Sequence, residues 1–310
     1  MNKGNFFKDV FGLLKGTVST FMDNRGLKLS ASLAYYTLFS MAPLLLLVIS
    51  LAGAFFGREA IEGSVFSELN GLIGADAAAQ VQQIIKNTEL SGSTSLSLII
   101  GAVSLVIGAT TVFGDIQDSV NKIWSVRAKP EKGWLKLIKD RLLSGSIIIG
   151  LGFLLIVSLV VNGAVMAFDH VLRGWMPGLS VVLLAVITGA VNFVVLSLLF
   201  GVIYKVLPDA RIKWKDVRAG AFFTAGLFML GRYIIGLYID KADVGSPYGA
   251  AGSLIIILIW VYYSAAILYI SASFTRVYAS YKGENIQPAE HAVYVEEKET
   301  EKQAVSITDE

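Results

Sequence analysis

The sequence contains no cysteine and only two histidines, His170 and His291. The absence of cysteine excludes disulfides, thiolate nucleophiles, iron–sulfur clusters and cysteine-containing zinc sites. Charge is also scarce, because only 16% of the 310 residues are charged, whereas an average soluble domain has about 25%. Hydrophobic residues make up 55%, and the mean hydropathy is +0.64. So much apolar surface needs a hydrocarbon solvent, and the composition therefore predicts an integral membrane protein.

The N-terminal region lacks a short apolar core followed by a small-residue cleavage site, so no cleavable signal peptide is predicted. The first spanning helix is expected to act as the insertion signal. The sequence also lacks a GxxxxGKS or GxxxxGKT motif, so ATP would have to act through a partner protein.

The net charge of +2 hides a basic body and an acidic tail. From Gly283 onward, eight acidic residues and two lysines give −6, which leaves +8 for the preceding residues. A basic body beside anionic lipid headgroups is typical of a cytoplasmic membrane face. The charge does not indicate nucleic acid as a partner.

Six stretches approach the roughly 20 apolar residues that a helix needs to cross a bilayer core. They are residues 32–56, 96–112, 147–168, 179–204, 217–239 and 254–274. The second stretch is short, but residues 93–95 and 113–114 extend it, and residues 113–124 are predicted to continue its helix beyond the membrane. The sequence therefore predicts an all-α, polytopic membrane protein with six transmembrane helices.

Lysine and arginine fall almost entirely into alternate connecting segments. The segment before span one, the loops after spans two and four and the segment after span six hold 21 of them, and the other loops hold 4. Short loops that are rich in these residues stay in the cytoplasm. Both termini are therefore expected to be cytoplasmic.

An amphipathic helix is predicted before span one, because apolar residues recur there at steps of three and four. They are Phe6, Phe7, Val10, Phe11, Leu14, Val18 and Phe21, with Lys3, Lys8 and Lys15 among the other positions. This pattern is typical of a helix that lies in the cytoplasmic membrane interface. A packing elbow against the spans would explain the pattern equally well.

Two sizeable segments lie outside the spans. The first outer loop, residues 57–94, shows helical spacing and is mildly acidic, which favours a solvated structural hairpin over a cap on an outward-facing cavity. The polar, acidic tail is expected to be disordered. The predicted organisation is a cytoplasmic interfacial helix (1–28), a six-helix transmembrane domain (29–282) and a disordered acidic cytoplasmic tail (283–310).

Arg232 is the one clear ionisable residue deep inside a predicted span, and such residues are costly in lipid and often functional. It lies in the outer half of span five, where its long side chain can partly reach outward. Two partners are open: an anion or phosphate in a cavity, or a structural partner such as Asp240, Asp243 or helix-end carbonyls. The spans hold no other titratable residue at mid-depth, so a proton relay is not predicted.

Four other polar residues are candidates for binding a substrate or a cation. Asn162 and Asn192 are interpreted mainly as interhelical hydrogen-bond partners. Asp115 and Asp118, one helical turn apart at the cytoplasmic end of span two, are weak candidates for holding a divalent cation. Because no third ligand is near in sequence, pairing with surrounding lysines is favoured. No catalytic residue and no cofactor is predicted.

Flexible or breaking residues mark candidate gating positions. Pro43 lies inside span one, where it predicts a kink, and Gly249 and Gly252 precede span six, where they predict a flexible entrance. Ordinary packing explains these residues as well. Small residues four positions apart, such as Ser146 and Gly150 or Ala221 and Ala225, predict close helix packing.

Two segments of the sequence carry a resemblance to a known family. ASLAYYTLFSMAPLLLLVIS (31–50) and PYGAAGSLIIILIWVYYSAAILYISASFTRVYASY (247–281) resemble the YihY/BrkB family of six-span bacterial inner-membrane proteins. The basic second loop and the acidic tail are consistent with it over about residues 5–282. The resemblance implies a multi-pass protein of the bacterial cytoplasmic membrane, in a family with some members linked to virulence or to the export of lipids or lipopolysaccharide precursors.

The last span departs from the family pattern. Where the family commonly has a glutamine and later a Gly-Ala-Glu, this chain has Ala266 and then Ser271, Ala272 and Ser273. Thr275 and Arg276 are retained. A mechanism that relied on the family's carboxylate would find Ser273 in its place here.

Members of the family were once labelled ribonuclease BN, but the residues argue against that activity. A metal-dependent ribonuclease needs a cluster of histidines and carboxylates around zinc. This chain has two distant histidines, which are expected on opposite sides of the membrane. We therefore expect no nuclease activity.

Two functions fit the sequence. In the first, a transporter or lipid translocator handles an amphipathic anionic substrate in a cavity among spans one, five and six, with Arg232 at the headgroup. The other residues expected along this path are Tyr35, Tyr36, Asn192, Tyr262 and Tyr263. In the second, the protein is a non-transporting scaffold for envelope proteins, which predicts an internally paired Arg232 and no continuous cavity. Membrane lipids are expected partners in both cases, and the sequence predicts no oligomeric state.

Overall fold

A computed structural model describes residues 6–56, 62–63, 66–67, 70, 78–79, 81–83, 95–129, 180–242 and 252–296, and the statements that follow concern these residues. Six long helices dominate this part of the chain. They are α1 (Phe6–Asp23), α2 (Gly26–Phe56), α3 (Ser95–Ile123), α4 (Ser180–Val206), α5 (Trp214–Ala242) and α6 (Gly252–Tyr281).

Four short strands form two antiparallel pairs at one end of the bundle. They are β1 (Val126–Ala128) after α3, β2 (Ala210–Arg211) between α4 and α5, and β3 (Gln287–Pro288) and β4 (Ala292–Tyr294) after α6. β1 pairs with β4 and β2 pairs with β3. We call the end formed by residues 122–129, 205–218 and 276–296 the basic end, because these residues include ten lysines and arginines against five acidic residues.

Three helices are long and apolar enough to cross a membrane within the described residues. They are Val186–Val206, Trp214–Tyr238 and Leu254–Tyr281, which correspond to predicted spans four, five and six. Predicted spans one and two lie in α2 and α3, of 31 and 29 residues. Residues 147–168 lie outside the described part. The helical architecture is confirmed, as is the continuation of span two to Ile123, while the number of six crossings stays a prediction.

The central helix is α6, which packs against α1, α2 and α5 and contacts α3 over a smaller area. Two glycines of α5 allow α6 to come close. A Cβ on Gly220 would lie 2.0 Å from Oγ1 of Thr275, and a Cβ on Gly231 would lie 2.1 Å from the hydroxyl of Tyr263. Backbones can approach this closely only where side chains are small.

The predicted small-residue packing is confirmed at one of its two sites. Ala221 and Ala225 are buried, at 2% and 0% exposure. Ser146 and Gly150 lie outside the described residues.

The core lies largely at the basic end, where Trp124, Tyr204 and Tyr269 are almost fully buried. The hydroxyl of Tyr204 donates to Leu268 O (2.7 Å) and lies 3.1 Å from Oγ1 of Thr224. This one side chain of α4 is therefore tied to both α5 and α6. A buried phenol requires such partners, because an unpaired hydroxyl in an apolar interior is costly.

Three of the helices, α1, α3 and α6, are followed by residues with left-handed backbone. Arg25 (φ 55°) separates α1 from α2, Ser125 (φ 55°) follows α3, and Gly283 (φ 74°) follows α6. Such a residue turns the chain so that a following N–H can bond a free helix carbonyl. Ser125 N donates to Lys122 O, and Gly283 N donates to Ser280 O. The chain thus reverses directly at the helix end and returns across the bundle.

Helix α1 is confirmed, and it has two different faces. Thr17 and Phe21 are buried, and Gly16 lies against Val277 of α6. The opposite face exposes an apolar stripe of Val10, Phe11, Leu14, Val18 and Met22. α1 therefore packs as an elbow against α6 and presents a second apolar face outward.

The segment after α6 differs from the expectation of disorder. Residues 284–296, which we call the C-terminal strap, contain β3 and β4. Ile286 and Ala292 are buried, and the hydroxyl of Tyr294 donates to Ile286 O (2.7 Å). The prediction was wrong here because a polar segment needs no core of its own when it can pair with strands of an existing fold. Residues 297–310 lie outside the described part.

Most of the outer loop also lies outside the described residues. Within it, residues 62–63, 66–67, 70, 78–79 and 81–83 are helical, as the spacing predicts. Ala78 and Val81 are buried.

Candidate functional site

A cavity of about 1530 Å³ opens at the basic end of the bundle. Residues of α1, α3, α6, β1 and the C-terminal strap line it, together with Asp209 from the loop between α4 and β2. Its charged lining residues are Asp23, Asp118, Lys122, Arg127, Asp209, Arg276 and Glu296. Ligand pockets are typically about 300–1,000 Å³. This basic-end cavity is therefore large enough for a polar headgroup together with part of an apolar chain.

Arg276 and Trp124 join α3 to α6 in the wall of the cavity. Nη1 of Arg276 donates to the carbonyl of Ile123, the last residue of α3. The last carbonyls of a helix lack partners within it, and a cation there also complements the helix dipole. Nε1 of Trp124 donates to Ala272 O (3.0 Å). The half-buried guanidinium thus fixes a helix junction and still borders the cavity.

Asp209 connects three separate segments of the chain. Its Oδ2 accepts hydrogen bonds from Nδ2 of Asn121 (2.8 Å) and Nε2 of Gln117 (3.2 Å), both on α3. Its backbone N donates to Oδ1 of Asn121 (2.8 Å). Its Oδ1 lies 2.9 Å from Nε2 of His291 in the C-terminal strap. One carboxylate thus links α3, the α4–β2 loop and the strap.

Ion pairs add to this contact. Lys213 Nζ lies 2.8 Å from Oε1 of Glu284, and Arg211 pairs with Glu290. The Arg211–Glu290 pair is largely exposed, with side-chain exposures of 60% and 85%. Exposed pairs of this kind contribute little to stability. The Asp209–His291 contact, in which the aspartate side chain is only 14% exposed, is better shielded from solvent than either of these pairs.

Asp115, a weak candidate for cation binding, ties three helices together. Its Oδ1 accepts from Oγ of Ser32 on α2 (2.8 Å), and its Oδ2 accepts from the hydroxyl of Tyr269 on α6 (3.4 Å). Burial raises the pKa of Asp115, the two hydroxyl hydrogen bonds oppose that rise, and the charge of Asp118 adds to it. Among the described residues, the hydrogen-bond partners of Asp115 are thus two hydroxyls and not the lysines that the sequence favoured.

Asp118 lines the basic-end cavity one turn further along α3. Within the described ranges, no group of three histidine, aspartate or glutamate side chains is placed to hold a metal ion. Cation binding by Asp115 and Asp118 stays a prediction without a third ligand.

The residues predicted along a substrate path do not meet in the basic-end cavity. Tyr35 and Tyr36 are exposed on α2, with ring centroids 5.8 Å apart. Asn192 is half-buried on α4, and Tyr262 and Tyr263 are half-buried on α6. None of these five residues lines the basic-end cavity.

Arg232 is exposed on α5 and is not enclosed among α2, α5 and α6. Its neighbours Leu230, Tyr233 and Ile234 are exposed as well, at 55% or more. This part of α5 is therefore open on several sides. The position of a residue along a helix does not determine whether neighbouring helices enclose its side chain. The side chain of Asp240, one of the proposed structural partners, lies outside the described part, as does Asp243.

The three candidate gating residues are placed as follows. Pro43 lies inside α2, which is one helix from Gly26 to Phe56. Gly252 is buried and is the first residue of α6. Gly249 lies outside the described residues. A gating role for them stays a prediction.

The positions where the last span departs from the family pattern are tightly packed. Ser271, Ala272 and Ser273 are all 0% exposed. Oγ of Ser273 donates to Tyr269 O (2.9 Å) in its own helix. Ser273, at the position where the resemblance implies a carboxylate, thus has a small side chain that is satisfied within its own helix.

Sequence reasoning missed the cluster of Gln117, Asn121, Asp209 and His291. The residues that contact Asp209 are 82 to 92 positions away from it in the sequence. Helical or strand periodicity carries no information across such distances. The one signal available was a histidine in an otherwise acidic tail.

Comparison with known proteins gives matches along most of the chain. A family model described as Virulence factor BrkB matches residues 17–294. A UPF0761 membrane protein of Pseudoalteromonas atlantica is 26% identical over 255 residues, which cover 81% of each chain. One of Tolumonas auensis is 28% identical over 256 residues (80% of this chain, 78% of that protein). One of Stenotrophomonas maltophilia strain R551-3 is 26% identical over 277 residues (87% and 61%).

No solved structure matches the chain. The names of these relatives describe membrane proteins and mention no enzyme activity. The range matched by the family model ends at residue 294 and so includes β4 of the C-terminal strap. Because the match covers most of the sequence, from α1 to β4, this chain belongs to the Virulence factor BrkB family of membrane proteins.

Proposed function

We propose that this protein is a six-span protein of the bacterial inner membrane, with both termini in the cytoplasm, and that it translocates a lipid or another amphipathic anionic molecule. The basic-end cavity is the cytoplasmic binding site for the headgroup in this proposal. The observation that carries it is the combination of the cavity's size with Lys122, Arg127 and Arg276 in its lining.

Two exposed cations of the cavity lining, Lys122 and Arg127, form the proposed anion site. The lining also holds four carboxylates. Of these, Asp209 binds His291 and two amides, and Asp23 accepts from Oγ of Ser19 (3.2 Å). Exposed lysine and arginine side chains are groups that would bind a phosphate.

The neighbouring helix α1 supports a lipid as the substrate. Thr20, Asp23 and Asn24, at its C-terminal end, border the cavity. Its exposed apolar stripe, with Lys8 and Lys15 also exposed, suits the boundary between headgroups and acyl chains. In the proposed orientation α1 lies in the cytoplasmic interface, where lysines attract anionic headgroups. A lipid could then enter the cavity directly from that leaflet.

The test is translocation of fluorescent phosphatidylglycerol and phosphatidylethanolamine in proteoliposomes, compared with empty vesicles. The variant Lys122→Gln/Arg127→Gln removes the two exposed cations of the cavity lining. Its control, Lys215→Gln/Arg218→Gln, removes the same charge from exposed positions at the same end that do not line the cavity. We expect the cavity variant to slow phosphatidylglycerol about tenfold, as a loss of about 1.4 kcal/mol in headgroup binding would.

Two results would contradict the proposal. Equal slowing by the control would indicate a general surface-charge effect, and rates equal to those of empty vesicles would show that lipid is not moved. Arg232→Ala tests, in the same assay, the path among spans one, five and six that has Arg232 at the headgroup. If the headgroup binds in the basic-end cavity instead, this variant should have little effect on the translocation rate.

A second function, a non-transporting scaffold for envelope proteins, is favoured by a different observation. Several hydroxyls inside the bundle donate to carbonyls of their own helix: Ser197 to Phe193 O, Thr224 to Gly220 O, Ser273 to Tyr269 O and Thr275 to Ser271 O. Hydroxyls that are satisfied in this way leave few polar groups to line a path. The internal pairing of Arg232 that the scaffold predicts stays a prediction, because the side chains of Asp240 and Asp243 lie outside the described residues. Absence of translocation in the assay above would favour it.

A further inference from the structure

The C-terminal strap is the wall of the basic-end cavity with the least support from the bundle. It contributes Asn285, Ile286, Tyr294, Val295 and Glu296 to the lining. Most of the other lining residues belong to α1, α3 and α6, which are helices of 18 to 30 residues packed within the bundle. Opening the cavity by moving one of these helices would disrupt much of the core, whereas moving the strap would withdraw two of the described core side chains, Ile286 and Ala292.

The strap is held mainly by short strand pairs, ion pairs and hydrogen bonds, and it buries few apolar side chains. Its buried apolar side chains are Ile286 and Ala292, and its strands are only two and three residues long. Backbone hydrogen bonds join Lys129 N to His291 O (2.7 Å) and Val295 N to Ser125 O (3.0 Å). Segments with few buried apolar contacts and exposed backbone hydrogen bonds open at a small fraction of the free energy of global unfolding.

We propose that the C-terminal strap is the gate of the basic-end cavity and that the contact between Asp209 and His291 is its latch. This proposal rests on the proposed function, because it assigns the regulation of the same cavity. With the strap in place, its side chains bound the substrate site. When the Asp209–His291 contact and the short strand pairs break, this wall moves away and the mouth of the cavity widens on the aqueous side.

The gate can be locked by an introduced disulfide. The chain has no cysteine of its own, so two introduced cysteines can pair only with each other. Ala128 of β1 faces Ala292 of β4 in the strand register. The hydrogen bond from Lys129 N to His291 O identifies 128–292 as a pair without direct hydrogen bonds. In such pairs the Cα atoms are about 4.5 Å apart, which a disulfide can bridge. Alanine to cysteine adds a single sulfur at each position.

The experiment measures phosphatidylglycerol translocation by Ala128→Cys/Ala292→Cys in its oxidised and reduced forms. The oxidised form is expected to be about tenfold slower, because the open state is removed from the population. The single variants Ala128→Cys and Ala292→Cys control for the effect of oxidant. His291→Ala, which removes the latch without removing a lining residue, is expected to be faster than the unaltered protein. Equal rates of the oxidised and reduced forms would overturn the proposal.

Hydrogen exchange separates this proposal from the proposed function. Backbone amides of the strap are expected to exchange at least about 100-fold faster than those in the centre of α6, and oxidation of the cysteine pair should slow the strap amides alone. If no lipid moves in either redox form, the proposed function fails. The proposed gate is then supported only if the strap amides exchange faster than those of α6 and oxidation slows them. Strap amides that are protected as strongly as those of α6 would overturn the gate.

Discussion

The close contact between α5 and α6 gives the sharpest quantitative prediction. Replacing Gly220 with alanine would place a Cβ 2.0 Å from Oγ1 and 3.1 Å from Cβ of Thr275. An oxygen cannot stay at the shorter of these distances, so either the two helices separate or the threonine rotates. Rotation would break the hydrogen bond from Oγ1 to Ser271 O (2.8 Å), because that bond fixes the present rotamer.

The size of the effect follows from three contributions. Overpacking of a close contact costs about 1–3 kcal/mol, and a lost buried hydrogen bond costs about 1 kcal/mol. Alanine recovers about 1 kcal/mol through its better helix propensity. Gly220→Ala should therefore lower the free energy of unfolding by about 2 kcal/mol, measured by denaturant titration of the purified protein in detergent micelles.

A second substitution and a matched control make this prediction specific. Thr275→Ala removes the clashing Oγ1, so Gly220→Ala should cost less than about 1 kcal/mol in that background, and the double-mutant cycle should show coupling. Gly226→Ala, at an exposed site on the same helix with no atom within 4 Å of the added Cβ, should be neutral or stabilising. Equal effects of Gly220→Ala and Gly226→Ala, or no rescue by Thr275→Ala, would refute the proposed contact.

Two further predictions concern α3 and the residue that follows it. Because burial raises the pKa of Asp115, the folded protein binds that proton more tightly than the unfolded chain, and its stability falls as the pH rises from the ordinary carboxyl pKa of about 4 towards the raised value. Asp115→Asn should remove this pH dependence. The melting temperature of the unaltered protein minus that of the variant should therefore fall as the pH rises. A difference that stays constant with pH would contradict the raised pKa of Asp115. Trp124→Phe should lower the free energy of unfolding by about 2 kcal/mol, because a buried ring shrinks and the hydrogen bond to Ala272 O is lost. A change below about 0.5 kcal/mol in the denaturant titration would show that the ring is not packed as described.

The helices were predictable because hydrophobicity acts on each segment by itself. The apolar run at 254–274 lies inside α6, and the run at 217–239 lies inside α5, with ends that differ by a few residues. The structure extends each helix beyond its apolar run, and in the extension of α6 Arg276 donates to Ile123 O at the end of α3. Hydropathy identifies the part of a helix that needs lipid, but not the helical turns that continue outside it.

The site was not predictable, because its residues come from segments distant in the sequence. Arg232 shows the limit of depth as a criterion, since position along a helix does not tell which neighbours cover a side chain. Asp209 shows the converse case. It lies in a loop that hydropathy treats as a linker, yet it binds side chains of α3 and the C-terminal strap. Composition predicted disorder for the strap because it does not register pairing with strands elsewhere.

The strand pairs connect the charge pattern with the topology. β1 pairs with β4 and β2 pairs with β3, so the segments after α3, α4 and α6 lie on one side of any membrane that these helices cross. These are three of the four segments in which the lysines and arginines are concentrated. If α4 crosses the membrane, it begins on the opposite side, whereas the chain leaves β1 on the side of the basic end. The proposal of six spans therefore expects an odd number of crossings between β1 and α4. The apolar run at 147–168 is long enough for one crossing, so the strand pairing and the hydropathy pattern support the same proposal.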